Sequence, residues 1–390
     1  MNRILCADLH LIWAAFQFVG ICFLVAFTAF QICCYVFLRS GVWKNPGVPA
    51  LTGPLPACSV VICAHNERHN LSKNLPKIAQ QEYPGCWEIV VVDDCSNDGT
   101  LETLNGLSEA YPRLRVIRLE NKREGGKKRA LSEGIKQAQY SNLVCTDADC
   151  RPASTEWLQG MTSAFSRNNQ NELVLGCSPL NAPPTLFGNW VAYESMHTAF
   201  LYIGMAARGY PYMGVGRNIA FQRKLWESTG GNEAHQHLMS GDDDLFVNAA
   251  AHRNNTAVVT ASFAYTHSPA PATLSDWWKQ KRRHLSTGGY YQRGHRLFLG
   301  WMAGTHVMHY FLGFLSLVTG YLPLLSITLY ACRLAVVVLT LWQPLKMMGR
   351  KPTILFVAVQ DLLFSFHYGL VVPYFQWVRG GGVTWKNFSA

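Results

Sequence analysis

This sequence predicts an α/β fold: a largely parallel sheet covered by helices on both faces and carried on apolar segments at both ends of the chain. Three observations predict it. Short β-branched runs alternate with helix-like stretches between about residues 58 and 150. An uncharged run from Leu11 to Leu38 is long enough to cross a bilayer, and a second almost uncharged stretch runs from Gly300 to Thr340. Between them, Leu143-Val144-Cys145-Thr146 ends in Asp147-Ala148-Asp149. Residues i and i+2 of a strand share a side, so both carboxylates can aim at one point beyond the sheet. That pair reads either as a metal–nucleotide site, since Mg²⁺ is held by carboxylates plus phosphates, or as a polar turn after a strand.

In chain order, the first apolar run reads as an uncleaved anchor, because it is longer than a signal-peptide core and lacks a small-residue cleavage site. Asn45-Pro46-Gly47-Val48-Pro49 is a breaker-rich linker. Cys58 to Ala64 reads as a buried strand ending at His65-Asn66-Glu67, where a helix can start. Glu88 to Val92 is a second strand, ending in Asp93-Asp94, and Asn97 or Asp98 can cap the helix that follows. Arg115 to Leu119 is a third strand. Gly125-Gly126-Lys127-Lys128 opens a helix reaching about Gln139, and the fourth strand carries Asp147 and Asp149. Right-handed crossovers bring the strand ends to one edge, so His65, Asn66, Asp93, Asp94, Lys127, Asp147 and Asp149 face one crevice.

Composition narrows the class. The 390 residues are 49% hydrophobic and 15% charged, with a net charge of +10. The basic residues flank apolar segments: Arg39 and Lys44 after the first, Lys281, Arg282, Arg283, Arg293 and Arg296 before the second. By the positive-inside rule this places residues 40–300 in the cytoplasm. No basic block with interleaved aromatics argues for nucleic acid. The 12 cysteines show no CxxC pairs, which fits buried thiols in a reduced compartment better than a disulfide scaffold or zinc site.

In the second half, Gly214-Val215-Gly216-Arg217-Asn218 is a glycine-rich turn, read either as a hairpin or as close backbone approach to a ligand. Asp242, Asp243 and Asp244 precede Leu245-Phe246-Val247 and occupy the first turn of a helix. Three adjacent carboxylates repel, raising at least one pKa, which suits a general base. Thr273 to Tyr291 reads as an amphipathic helix, with Trp277 and Trp278 beside Lys279, Lys281, Arg282 and Arg283, suited to a membrane interface. Gly300 to Thr340 reads as two spans with a turn near Gly320 and Pro323, and Arg333 must face other helices or snorkel. Thr353 to Phe375, with Gln360, Asp361 and His367, spans or lies in the interface.

Together these motifs resemble the family 2 glycosyltransferases with the GT-A nucleotide-diphospho-sugar transferase fold, a Rossmann-like mixed sheet. The stretches that carry the resemblance are Ile62 to Glu67, Val91 to Thr100, Gly126 to Leu131, Thr146 to Asp149, Gly216 to Phe221, Ser240 to Asp244 and Gln280 to His284, in the family's order. The resemblance implies that Asp94, with Asp93, reads the uracil or ribose, and that Lys127 lies near the nucleotide. It implies that Asp149 and Asp147 meet the diphosphate through Mg²⁺ or Mn²⁺, with His65, Asn66 and Glu67 beside the nucleotide. It places the base in the aspartate triplet, as Asp243 with Asp242 as runner-up, and a diphosphate-pairing Arg283 with Gln280 in a Gln-x-x-Arg motif. Processive members follow that arginine with Trp; here His284 stands there, which weakens polymer synthesis.

The resulting expectation is a membrane-bound, metal-dependent inverting glycosyltransferase of a bacterial inner (cell) membrane. Its donor is a nucleotide-diphospho-sugar, UDP-linked, and its acceptor a lipid-linked saccharide or glycan in contact with membrane lipid. A processive polysaccharide synthase is the alternative enzyme. A scaffold that kept the fold without the chemistry would have lost a carboxylate, and none is lost. The expected organisation is an anchor (1–40), linker (41–56), GT-A domain (57–270), interface helix (271–299), C-terminal transmembrane helices (300–376) and tail (377–390).

Overall fold

A computed structural model describes residues 2–39, 54–120, 126–231, 233, 238 and 240–377. The expected linker at 45–49, Lys44, Gly125, Arg379 and the tail beyond 377 lie outside the described residues. Helix α1 (Asn2–Arg39) comes first. Then follow β1 (Cys58–Ala64), α2 (Arg68–Ala79), β2 (Trp87–Asp93), α3 (Thr100–Ala110), β3 (Leu114–Arg118), α4 (Gly126–Gln137) and β4 (Asn142–Asp147). The second half of the sheet region holds β5 (Arg151–Pro152), α5 (Trp157–Arg167), β6 (Leu173–Gly176), β7 (Leu180–Asn181), α6 (Leu186–Ala207), β8 (Ile219–Gln222) and α7 (Arg223–Ser228). After these come α8 (Asp244–Ala250), β9 (Thr256–Val259), β10 (Thr266–Pro269) and α9 (Leu274–Leu285). The last helices are α10 (Arg293–Thr319), α11 (Pro323–Met347), α12 (Ile354–Phe366) and α13 (Val372–Trp377). The described residues fall into two compact units, 54–292 and 2–39 with 293–377.

The larger unit is built on a seven-stranded sheet of order β3-β2-β1-β4-β8-β6-β9. β3, β2, β1 and β4 are parallel, β8 is antiparallel to both neighbours, and β9 is parallel to β6. β1 is apolar apart from Ser59, which donates to Glu88, because it is buried on both faces as a central parallel strand must be. Val60, Ile62 and Ala64 pack with Leu71, Leu75 and Trp157 on one side. On the other, α4 lies so close that a Cβ at Gly134 would meet Val61 Cγ1 at 2.7 Å. Register then sets the site: Ala64 pairs with Asp93 and Cys63 with Asp147, so the acidic strand ends align at one edge. A three-stranded ribbon, β5-β10-β7, joins the second half of the unit.

In the smaller unit the turn expected near Gly320 and Pro323 is present, with Gly320 at φ +69° and Pro323 as the first residue of α11. Three helical stretches are long and apolar enough to cross a membrane: Leu11–Arg39, Pro323–Met347 and Ile354–Phe375. Of the two spans expected within 300–340, α11 is among these stretches, while α10, 27 residues long, is less apolar. Its Thr305, His306 and His309 lower its hydropathy, yet all three are buried, while Phe311, Phe314 and Val318 are exposed.

Those polar residues face a buried network. Arg333 Nη1 meets Asp361 Oδ2 at 2.5 Å, both residues essentially without solvent contact. Arg333 Nη2 also reaches His306 Nδ1 at 2.8 Å and Gln31 Oε1 at 3.3 Å. An arginine only donates, so His306 accepts at Nδ1 and donates through Nε2 to the Asp361 carbonyl at 3.0 Å. Tyr310 donates to Asp361 Oδ2 at 2.6 Å, and Gln31 Nε2 to Thr305 Oγ1 at 2.7 Å. One arginine thus ties α1, α10, α11 and α12 together, which answers how Arg333 and Asp361 are tolerated in apolar segments. Asp361→Ala strands the guanidinium and is expected to cost about 3–5 kcal/mol, whereas Arg333→Met with Asp361→Leu recovers most of it; unfolding midpoints in detergent distinguish the two.

Candidate active site

The acidic edge is assembled by turns that lace one another. Asn66 sits at φ +59°, a conformation Asn tolerates better than most residues. Its Oδ1 accepts from Asn97 N at 3.0 Å, and its own N–H donates to Ser96 Oγ at 2.9 Å. His65 Nδ1 donates to the Asp94 carbonyl at 2.7 Å. Asp98 accepts from Thr100 N at 3.0 Å and from Arg68 N at 3.2 Å, serving the starts of both α3 and α2. The N-cap position of α3 is Gly99, at φ +90°. Asn66 and His65 therefore hold the β1–α2 and β2–α3 turns against each other. Asp93 and Asp94 are buried below them, and Asp93 Oδ2 has no hydrogen-bond partner among the described residues.

The expectation that the fourth strand carries both Asp147 and Asp149 is corrected: Asp147 is the last residue of β4 and Asp149 stands in the turn beyond it. Their carboxylate oxygens and the Cys150 thiol lie within 4.8 Å of one another. Burial pushes the Cys150 thiol well above its ordinary range, and hard divalent ions prefer oxygen, so the two carboxylates are the fitting ligands. Ser268 donates to Asp149 Oδ2 at 3.0 Å. Lys127 Nζ bridges Asp147 Oδ1 at 2.8 Å and Asp242 Oδ2 at 3.0 Å. Loss of water works against its charge, but Asp147, Asp242 and Asp243 outweigh that and hold its pKa well above the usual value.

The aspartate triplet divides into three environments. The expectation that all three lie in the first helical turn is corrected: α8 starts at Asp244, Asp243 is its N-cap, and Asp242 precedes it. The cap geometry decides this, since Asp243 Oδ1 accepts from Asp244 N at 2.8 Å while its carbonyl accepts from Val247 N at 3.0 Å. Asp242 is lowered: burial opposes its charge, but Lys127 more than offsets it. Asp243 is pushed up to about 7 by burial and then by the charges of Asp242 and Asp244. Gly216 N–H donates to Asp243 Oδ2 at 2.6 Å, and a Cβ on Gly216 would stand 3.3 Å from that oxygen. The glycine turn thus bears on Asp243. Asn218 of the same turn is wholly buried, accepting from Trp157 Nε1 at 2.9 Å and donating to the carbonyls of Cys177 and Ala264.

Asp244 is buried and raised by that burial, with hydrogen bonds from Thr287 (2.5 Å) and Tyr291 (2.8 Å) opposing the rise. One turn on, Asn248 Oδ1 accepts from Gln292 N at 2.7 Å. The segment after α9 is therefore latched to α8. At its other end α9 is tied to α6: Trp277 Nε1 donates to Glu194 Oε2 at 3.1 Å, and Lys281 pairs with Glu194 Oε1. This corrects the reading of residues 273–291 as one interface helix. It ends at Leu285, and Trp277 and Lys281 turn into the folded unit because the buried Glu194 needs both a donor and a counter-charge. Gln280 is half-buried and Arg283 exposed, both toward the end of α9. Glu194, Thr287, Tyr291 and the Gly216 amide escaped the sequence reading, since only tertiary packing makes them partners.

The parallel half-sheet, the antiparallel insertion and the acidic edge define the GT-A class of fold. A solved structure of that kind, mannosyltransferase PcManGT from Pyrobaculum calidifontis in complex with GDP-Man and Mn²⁺, superposes with a TM-score of 0.57 at 20% identity, covering 89% of this chain and 98% of that one. Residues 59–200 match the family described as Glycosyl transferase family 2, and residues 144–369 match Glycosyl transferase family group 2. The chain belongs to the family 2 glycosyltransferases. Glycosyltransferase AglE of Haloferax volcanii is 36% identical over 117 residues, 30% of this chain and 38% of that protein. Beta-monoglucosyldiacylglycerol synthase of Trichormus variabilis is 25% identical over 289 residues, 72% of this chain and 58% of that protein. The chain spans about half the length of the curated relatives it matches.

Two stability outcomes follow from this geometry. Tyr291→Phe removes one donor from a buried carboxylate and is expected to cost about 1.5–3 kcal/mol in denaturant unfolding. Asp243→Asn is expected to cost stability at pH 4, because its amide nitrogen cannot accept the N–H that one carboxyl oxygen accepts, and to recover part of that cost as pH rises. A carboxyl raised to about 7 in the native state loses stability as pH rises from the ordinary carboxylate range through 7, and the amide does not. The Tm of the variant relative to the parent is therefore expected to rise between pH 4 and pH 8, measured in EDTA.

Proposed function

We propose that this protein is a membrane-bound, metal-dependent inverting glycosyltransferase. It moves a sugar from a nucleotide-diphospho-sugar, UDP-linked, to a lipid-linked saccharide or glycan. The observation that carries the reading is the convergence on one edge of a paired carboxylate, Asp147 with Asp149, and a separate raised carboxyl, Asp243. The first suits a metal–diphosphate complex and the second a base working near neutral pH. The AglE and glucosyldiacylglycerol synthase names of the relatives are consistent with it.

In this reading Asp93 and Asp94 receive the nucleoside, the unpartnered Asp93 Oδ2 offering an acceptor. Asp147 and Asp149 hold Mg²⁺ or Mn²⁺, which supplies charge neutralisation on the diphosphate when bound. Lys127 stays near the nucleotide and keeps Asp242 ionised and occupied. Asp243 is therefore the carboxyl left to act as base. Each of its oxygens accepts one amide N–H and keeps a lone pair for the acceptor's proton. As that O–H bond breaks, the acceptor oxygen bonds to the anomeric carbon from the face opposite the leaving group. The bond to the diphosphate breaks, and the nucleoside diphosphate departs with its electron pair, inverting the centre. Arg283, with Gln280, pairs with that leaving group, where a planar permanent cation is useful. In this reading the catalytic unit lies on the cytoplasmic side, which the basic residues flanking the apolar segments support by the positive-inside rule.

The test is nucleoside-diphosphate release from a panel of UDP-sugars by the full chain in lipid, with Mg²⁺ or Mn²⁺ and with EDTA. Metal-dependent release from one sugar, lost in Asp149→Ala, is expected. Asp243→Asn is expected to lose about 10³-fold in kcat with nucleotide affinity kept, and wild-type kcat to rise with pH through about 7. Retained transfer in Asp243→Asn with loss in Asp242→Asn would move the base by one residue.

A further inference from the structure

Arg217 lies in the glycine turn, next to the amide that Asp243 accepts. The turn from Val215 to Asn218 is closed by Asn218 N–H on the Val215 carbonyl at 3.0 Å, with Arg217 as its third residue. Gly216 before it donates to Asp243, and Asn218 after it is wholly buried. The Arg217 carbonyl accepts from two hydroxyls, Thr146 Oγ1 at 2.9 Å and Thr266 Oγ1 at 2.8 Å. Thr146 adjoins Asp147 at the end of β4, and Thr266 shares β10 with Ser268, the donor to Asp149. The backbone of Arg217 is thus fastened beside the proposed base and to β4 and β10, the strands that hold the metal pair. Both lone pairs of one carbonyl are used to hold this residue, so its position is fixed before any ligand arrives.

Its side chain has no such partners. Arg217 is half-buried, and its guanidinium makes no ion pair or hydrogen bond among the described residues. The carboxylates nearby are engaged elsewhere: Asp147 and Asp242 by Lys127, Asp149 by Ser268, and Asp243 by two amides. The charge of Arg217 bears on two places. At Cys150, beside Asp149, burial and the charges of Asp147 and Asp149 raise the thiol, and Arg217 opposes them. At His284, beside Arg283, loss of water and then the charges of Arg283, Lys281, Arg217 and Lys127 hold the imidazole well below its ordinary pKa. Each of those charges is positive. Lys281 is paired with Glu194, and Lys127 with Asp147 and Asp242. Arg217 and the exposed Arg283 have no counter-charge among the described residues. An arginine cannot shed its charge, so two unpaired guanidinia beside a neutral imidazole call for an anion from outside the chain.

We propose that Arg217 is a second diphosphate-binding arginine, which holds the leaving nucleoside diphosphate together with Arg283. The identity of the anion rests on the proposed reaction, whereas the anion site rests on the geometry. A diphosphate has the matching chemistry: Asp147 and Asp149 suit its metal, and Arg217 offers a planar permanent cation with several donors. When the bond from the anomeric carbon to the diphosphate breaks, the electron pair stays on the diphosphate oxygen and a negative charge develops there. A guanidinium already in place stabilises that charge without reorganising. The glycine turn therefore serves both ends of the displacement, with the Gly216 amide on Asp243 and the Arg217 side chain on the leaving group.

The test is calorimetric titration of the full chain in nanodiscs, with Mn²⁺, against UDP and against inorganic pyrophosphate, which has no nucleoside to recognise. Arg217→Gln is expected to weaken both by about tenfold or more and to lower kcat for sugar transfer by about 10²-fold. Arg217→Lys keeps the charge without the fork and is expected to fall between the parent and Arg217→Gln. The unfolding midpoint without ligand is the check on folding; if Arg217→Gln fails it, the comparison of Arg217→Lys with the parent decides. Affinities equal to the parent's in the deciding variant, a parent that binds neither anion, or a change confined to the KM for the acceptor overturns the proposal. Arg217-dependent binding of diphosphate in a chain that transfers no sugar defeats only the reaction reading. A chain that transfers sugar, with diphosphate affinity and kcat kept in Arg217→Gln, defeats only this one.

Discussion

The Lys127 ammonium lies between Asp147 and Asp242, and the acidic edge depends on it. Parallel register brings Asp93 and Asp147 to the ends of β2 and β4, and the loop before α8 adds Asp242 and Asp243. Uncompensated, such a set would repel itself and lose water at the same time. A single cation placed between two carboxylates offsets their charges and holds Asp242 below the usual carboxylate range. The third, Asp243, is left without a cation of its own and with two negative neighbours, so its proton is held more tightly. The distribution of one positive charge thus divides labour among chemically identical side chains.

Around this charge arrangement the structure spends its buried polar groups on positioning. Asn218 fixes the glycine turn through three hydrogen bonds, and the turn in turn presents the Gly216 amide to Asp243. Asp244 and Asn248 form one face of α8 and receive Thr287, Tyr291 and Gln292. Glu194 holds α9 from the other side. The helix that carries Gln280 and Arg283 is held by the buried Glu194 and the segment just after it by the buried Asp244, while Arg283 itself is exposed.

The smaller unit solves a related problem with the opposite balance. There a carboxylate and a guanidinium, Asp361 and Arg333, are both removed from solvent and satisfied mainly by each other, with neutral partners from two further helices. The pair fixes which faces of four helices meet, something apolar side chains alone specify weakly in lipid. α10 shows the consequence: its polar face is turned in and its aromatic face out.

Much of this was legible in the sequence. The strands ending at Ala64, Asp93 and Asp147, the helix from Gly126 and the break before Pro323 are set by local apolar runs and breakers, so periodicity alone located them. The alignment of Asp93, Asp147 and Lys127 also follows from sequence, because parallel crossovers allow few alternatives. Which aspartate caps α8, which one Lys127 neutralises and which is left raised could not be read, because adjacent identical residues differ only in partners distant along the chain. For the same reason Trp277 and Lys281 look like surface residues until Glu194, far upstream, is brought beneath them.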